Sequence, residues 1–379
     1  MSDRSPRNAW GRKPERSRLL PVRRRGCVLS AFIELDHVTK TFGGAGLFGG
    51  GSVTIAVDDV SLTIDEDEPS ITTVAGESGS GKTTLARLLL GSHVPTEGRM
   101  LYRGKDFTKL TRRERRTFQR EVQPIFQDPF ESYNPFYKVD HVLDAPIKNF
   151  KLAGSTSEKK RMIEDALEMV GLVPAETLGR FPHQLSGGQR QRVMVARALL
   201  LKPRVILADE PVSMVDASLR ATILDSIRRL NRDLGISVVY ITHDLTTAYQ
   251  ISDNILVMYR GTIVEAGTVD AVILNPQHPY TQLLIESIPQ PDPKNRWGSE
   301  PPQQNWEISD TQITGCKFAD RCPAVMDRCP TTRPGQYLIN PHQLATCLLY
   351  EEKGEMTNPD ITSTFQTEKQ ALQAAAART

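Results

Sequence analysis

No run of the 379 residues approaches the ~20 consecutive apolar side chains that a membrane-spanning helix needs. The best candidates, VMVARALLL and ISVVYIT, are short and interrupted, so any work at a membrane is expected to go through partners. Cysteine is scarce too: five residues do not make the framework of a secreted disulfide-stapled domain. The N-terminus has no apolar core of the kind a signal peptide carries. Sustained heptads are missing, which argues against long coiled coils. Negative charge is sparse in one place. Up to Arg25 the chain carries eight Arg and one Lys against only Asp3 and Glu15, with few apolar interruptions. Residues 1–30 are therefore expected to be a disordered basic tail rather than a lipid- or nucleic-acid-binding arm.

From Ala31 the texture becomes short β-rich runs separated by turns. FIELDHVTKTF reads as an edge strand, VTIAVDDVSLTI as another strand, and ITTVAG as a buried strand delivering a glycine loop into the helix KTTLARLLLG. VQPIFQ is a strand. Residues 129–202 read as mostly helical, with SEKKRMIEDALEMVG the clearest amphipathic stretch. PRVILADEP, ISVVYITHD, DNILVMYR and GTIVEAG continue the strand series around the helix DASLRATILDSIRRLNRDLG. This alternation predicts an α/β core with a parallel sheet, an antiparallel β subdomain and an inserted helical subdomain, over residues 31–290. A Pro-rich linker follows, then a small cysteine-containing extension at 291–350 and a polar tail at 351–379.

Gly76-Glu-Ser78-Gly79-Ser80-Gly81-Lys82-Thr83-Thr84 matches the phosphate loop G-x4-G-K-[ST]. Its glycines let successive backbone N–H groups turn toward phosphate oxygens at a helix N-terminus. Lys82 is suited to the β and γ phosphates and Thr83 to Mg²⁺. In VILADE, a strand ends in Asp209, a Mg²⁺ ligand through its water shell, followed by Glu210, placed to activate water for in-line attack. His243 ends the next strand, and the parallel-sheet rule puts it in the same crevice, within reach of the γ-phosphate. Gln127 follows another strand and is a candidate for Mg²⁺ or the attacking water. A second glycine turn, LSGGQ at residues 185–189, opens a further helix.

GESGSGKTT, Gln127, LSGGQ, LADEP and His243 occur in the order and approximate spacing of the ATP-binding subunits of ABC transporters, which the chain resembles over about residues 31–290. The resemblance implies a P-loop NTPase (RecA-like) core that binds ATP and Mg²⁺ and hydrolyses ATP. It implies that Phe42 stacks on adenine, and that Ser186, Gly187, Gly188, Gln189 and Asp216 meet the nucleotide of a partner subunit. SMVD at 213–216 departs from the common SALD. FQDPFESYNP, NPQHPYTQLLIESIP and GCKFADRCP look like the peptide-import branch, whose relatives also carry nickel or oligosaccharides. The implied assembly has two transmembrane permease subunits, a second ATP-binding subunit (a paralogue or a copy) and an extracytoplasmic solute-binding protein. The chain would then sit peripherally on the cytoplasmic face of the inner membrane, with no nucleic-acid partner. A soluble, non-transport ABC ATPase is the competing class.

Four of the five cysteines, Cys316, Cys322, Cys329 and Cys347, are spaced C-x5-C-x6-C-x17-C. The C-x2-4-C pairs of a zinc knuckle are missing and the spacing is not that of ferredoxins. Thiolate ligation suits either zinc or an iron–sulfur cluster, and buried thiols without metal are the third reading. The peptide-importer resemblance implies a [4Fe–4S] cluster.

Overall fold

The computed structural model describes residues 31–43, 53–65, 67–126, 133–213, 217–288, 314–358 and 360–365. In chain order its strands and helices are β1 (Ala31–Phe42), β2 (Thr54–Asp65), β3 (Ile71–Ala75), α1 (Lys82–Leu89), β4 (Glu97–Tyr102), β5 (Lys105–Asp106), α2 (Arg112–Glu121) and β6 (Val122–Ile125). A helical stretch follows, with α3 (Asp140–Phe150), α4 (Thr156–Met169), α5 (Pro174–Thr177) and α6 (Gly187–Leu199). Then come β7 (Val205–Asp209), α7 (Ala217–Arg232), β8 (Ser237–Thr242), α8 (Leu245–Ile251), β9 (Asn254–Tyr259), β10 (Thr262–Thr268), α9 (Val269–Leu274) and α10 (Pro279–Glu286). The last strands are β11 (Tyr337–Asn340) and β12 (Gln343–Ala345).

Among the described residues the strands form two sheets. The larger runs β11-β12-β10-β9-β3-β8-β7-β6, and the smaller runs β2-β1-β4-β5. From β9 to β6 the large sheet is parallel, and its central strands read as unbroken apolar runs because both faces are covered. Every residue of β8 and of β9 is buried. One face packs against α1 and the small sheet through Phe32, Leu35, Leu88, Leu256 and Met258. The other face packs on the helical stretch and α7 through Leu143, Leu167, Val193, Ile206 and Tyr240.

Two expectations change. β1 is not an edge strand, because β2 and β4 flank it on either side. Alternation reports one buried face and says nothing about which strand lies beyond the hydrogen-bonding edge. The antiparallel part expected beside the parallel core is present, both as the small sheet and as one edge of the large one. Arg260 and Gly261, both at positive φ (43° and 83°), turn β10 back antiparallel to β9, and β12 and β11 continue that edge. The cysteine segment therefore extends the large sheet rather than standing apart. The chain after Glu351 is not a plain polar tail: Ile361 is fully buried in the same core as Leu62, Ala266 and Leu344. The terminal TEKQALQAAAART and the basic tail lie outside the described residues.

Candidate nucleotide site

β3 and α1 are joined by the phosphate loop, and the loop's glycines are there for steric reasons. Gly81 has φ 105°, and a Cβ there would meet the Ala56 carbonyl oxygen at 2.2 Å. At Gly76, φ is 149° and the same test gives 2.3 Å to the Met258 oxygen. The loop is braced from outside by the β9–β10 turn, where the Gly261 N–H donates to the Ser80 carbonyl at 2.8 Å. Lys82 opens α1 and is buried; its Nζ donates to the Gly76 and Glu77 carbonyls, both at 2.7 Å. Burial pushes its pKa down, opposed by the charges of Glu210, Asp209 and Glu77. A partly desolvated ammonium held by two carbonyls and, at 3.5 Å, the Ser80 hydroxyl has much to gain from a phosphate oxygen.

Asp209 closes β7. Burial raises its pKa, the neighbouring Glu210 raises it further, and Lys82 and Arg87 oppose both. Glu210 adopts φ 44°, a left-handed conformation that is costly for a residue with a side chain. It is held there by its N–H to the Ile241 carbonyl (2.9 Å) and by its own carbonyl, which accepts from Ser213 N–H (3.2 Å) and Oγ (2.9 Å). His243, just beyond β8, places Nδ1 2.9 Å from Glu210 Oε1. That contact orients the carboxylate and leaves Nε2 on the other side of the ring. These groups surround one cleft of about 830 Å³ that also takes in Gly76, Glu77, Ser78, Gly79, Gly81, Lys82, Thr83 and Thr84. Ser80 departs from expectation. It is buried and not among the cleft's lining, and its N–H is already bonded to the Glu77 carbonyl at 3.2 Å.

The second glycine turn lies elsewhere. Ser186 caps α6 in a reciprocal box: Gln189 N–H donates to Ser186 Oγ at 3.2 Å, and Ser186 N–H donates to Gln189 Oε1 at 2.9 Å. Gln189 is thus committed to holding the turn, and Gly187 and Gly188 are the first two residues of the helix, where N–H groups have no intrahelical acceptor. None of the four lines the cleft. Phe42 ends β1 with its ring edge-on to His93 at 5.5 Å and Lys40 Nζ 5.3 Å from its centroid; it is also not part of the cleft lining. Gln127 and Asp216 lie outside the described residues.

The fold agrees with comparisons to known proteins. A family profile described as "ABC transporter" matches residues 57–213, and one described as "Oligopeptide/dipeptide transporter, C-terminal region" matches residues 264–329. A "Probable peptide ABC transporter ATP-binding protein" of Sinorhizobium fredii is 40% identical over 306 residues, covering 80% of this chain and 86% of the relative. The chain belongs to the ATP-binding proteins of ABC transporters. Another relative of this ATP-binding protein, the "Oligopeptide transport ATP-binding protein" of Salmonella typhimurium, is 38% identical over 281 residues, 74% of this chain and 83% of that protein. The dimeric structure of an ABC transporter cassette matches with a TM-score of 0.55 and 29% identity, over 62% of this chain and 98% of that one.

Sequence reasoning missed three members of the ABC site's surroundings. The Arg260-Gly261 turn that braces Ser80 had a signal, a Gly-containing pair between two β runs. Tyr280, whose Oη accepts the Glu77 N–H at 2.9 Å, and Arg321, paired with the Glu77 carboxylate, had none, being more than 200 positions away. In the cysteine segment all four cysteines are free thiols. Among the described residues no group of three or more His, Cys, Asp or Glu side chains is arranged to hold a metal ion, so neither the zinc nor the iron–sulfur expectation gains support from the structure. No described helix is long and apolar enough to cross a membrane.

Proposed function

We propose that this chain is the ATP-hydrolysing subunit of a membrane importer for oligopeptides or dipeptides, working as one of two ATP-binding subunits beneath two permease subunits on the cytoplasmic face of the membrane. An extracytoplasmic solute-binding protein would deliver the cargo. The observation that carries the reading is the separation of the two glycine turns. The cleft holds the phosphate loop, Asp209, Glu210 and His243, while the Ser186 turn faces elsewhere with N–H donors to spare.

On this reading the loop N–H groups and Lys82 bind the ATP phosphates. Thr83, Asp209 and Gln127 are the residues that would hold Mg²⁺, whose contribution is to neutralise charge on the bridging and terminal phosphate oxygens. Glu210, oriented by His243, takes the proton of a water attacking in line. Phe42 stacks on the adenine. Ser186, Gly187 and Gly188 of each subunit, with Gln189 locking their turn and Asp216 nearby, complete the γ-phosphate cage of the other. The exposed Phe126, Phe136 and Tyr137, which flank Gln127 in the sequence, offer an apolar seat for a permease helix. Copurification of the full chain from membranes should bring down two permeases and a second ATP-binding chain, with peptide-stimulated ATP turnover. A chain that is never found with membrane partners would overturn the reading.

We carry a [4Fe–4S] cluster at the four cysteines in the same proposal, on the chemistry of the donor set. Burial pushes the Cys316, Cys322 and Cys347 thiols up, opposed in part by the backbone N–H groups of Phe318, Ala324 and Leu349, and Met326 N–H donates to Cys329 Sγ at 3.4 Å; a bound cation would have to supply the rest of what thiolates need there. The buried His278, which lines the same cavity as Cys316, leaves Nε2 without a partner among the described residues. A bound cluster would supply a one-electron centre, and no step of ATP hydrolysis is routed through it. Protein purified anaerobically should be brown and absorb near ~400 nm, as thiolate-bound iron does; colourless, iron-free protein would sink the cluster.

A further inference from the structure

Glu77 is an oddity in a loop built to receive a triphosphate, since its carboxylate lies beside the cleft and opposes the arrival of further negative charge. The chain answers that charge from far away. Arg321, between β10 and β11 in the cysteine segment, meets Glu77 in a two-pronged pair, Nη1 to Oε2 at 2.9 Å and Nη2 to Oε1 at 3.0 Å. The guanidinium is seated against Tyr259 and Phe318, with its carbon 5.8 Å from each ring centroid. Neither ring is free to move away. Phe318 is buried edge-on to Tyr259 and Tyr280, and Tyr280 in turn accepts the Glu77 N–H.

The same few residues also hold the turn that braces the loop. Lys317 Nζ donates to the Arg260 carbonyl at 2.9 Å and pairs with Asp58 at 2.7 Å, while Arg260 reaches the Lys317 carbonyl at 3.2 Å and Asp320 at 3.0 Å. Residues 317–321 thus grip the phosphate loop at Glu77 and, through the Arg260-Gly261 turn, at Ser80. The pair is half-buried, and its two-pronged geometry fixes both the charge and the orientation of the Glu77 carboxylate, whatever it adds to folding stability.

We infer that Arg321 is a positioning residue of the ATP site, which neutralises Glu77 and fixes the opening turn of the phosphate loop, so that the cysteine module sets ATP affinity within its own chain. The inference rests on the ATP-site reading above. The test is a double-mutant cycle on the full-length chain, with binding of a non-hydrolysable ATP analogue and Mg²⁺ read by calorimetry, and KM and kcat read separately. Arg321→Ala should weaken binding and raise KM by about tenfold, with kcat within about twofold, because the lost effect is on ground-state binding. Glu77→Gln should bind up to about threefold more tightly, and in that background Arg321→Ala should change affinity less than about twofold.

A purely architectural arginine predicts the same loss in both backgrounds, and that result overturns the inference. So does unchanged affinity in a folded Arg321→Ala chain. Arg321→Lys keeps the charge but loses the fork, and should cost about threefold. It carries the test if the alanine variant does not fold: a loss that persists undiminished with Glu77→Gln would again refute the role. Wild-type protein that fails to bind the analogue would instead refute the ATP-site reading itself.

Discussion

Glu210→Gln removes one charge from the site while keeping volume and the hydrogen bond to His243, since a glutamine side chain can still meet Nδ1. The proton acceptor is gone. A positioned general base contributes about 10²–10⁴-fold, so ATP turnover should fall at least 10²-fold, about 2.7 kcal/mol of barrier. ATP binding should move the other way. Glu210 is one of the causes that hold the Asp209 pKa above its ordinary value, second to burial. With Gln in its place only burial still raises that pKa, against Lys82 and Arg87, and Asp209 is more fully ionised and better able to hold Mg²⁺. The incoming phosphates also lose a repulsive neighbour. Lys82 loses one of three acidic neighbours that favour its charged form but keeps Asp209 and Glu77. Steady-state phosphate release should therefore collapse while the chain retains ATP and runs as a dimer on gel filtration with Mg–ATP. Turnover near the wild-type rate would show that Glu210 is not the base, and weakened ATP binding would refute the charge argument.

Ser186→Arg should leave ATP binding to the isolated subunit intact, because Ser186 does not line the cleft, yet abolish the ATP-dependent dimer; a variant that cannot bind ATP at all refutes the trans assignment. Asp209→Asn should raise the melting temperature of the nucleotide-free protein at neutral pH while destroying hydrolysis. The folded pKa of Asp209 lies above its unfolded value of 3.8, so the stability tied to its protonated form is present below that value and lost as pH rises through the folded one. The gain over wild type should therefore vanish in acid, and a lower melting temperature at neutral pH contradicts the sign. Ile361→Ala removes a fully buried side chain from the core and should cost about 2–5 kcal/mol by urea denaturation. A change under ~0.5 kcal/mol would show that the segment after Glu351 is a tail after all.

What the sequence disclosed was the chemistry that must be contiguous. A phosphate cradle needs its glycines, lysine and hydroxyl within one turn, and a strand-end acid pair needs adjacent positions, so both are legible locally. Ser186 and Gln189 read as one polar turn, but only the structure shows the capping box, in which Gln189 Oε1 accepts the Ser186 N–H. Arg321 sits 244 positions from Glu77, and no local pattern encodes such a partner. Strand order fails for a related reason. Period-2 alternation in β1 and the all-apolar β9 report burial of faces, while the neighbours across the hydrogen-bonding edges are chosen by the whole chain. The joining of β12 to β10 is of that kind.

Helices α1 and α6 each open on N–H groups without intrahelical acceptors, and each start carries partial positive charge. On the proposed dimer, closing two subunits brings the α1 end of one toward the α6 end of the other, with the buried Lys82 between them. Without an anion that approach leaves both sets of N–H donors desolvated and unpaired, and closure is resisted. A γ-phosphate supplies acceptors for both sets of donors at once. Its loss after attack by water removes the shared acceptor. The reciprocal Ser186–Gln189 box matters here because it leaves the Ser186 hydroxyl proton unspent. Its oxygen accepts from Gln189, and the O–H remains to donate across the gap. The turn is thereby ordered before the partner arrives, which lowers the entropic cost of closing. ATP then acts as the adhesive of the clamp as well as its fuel.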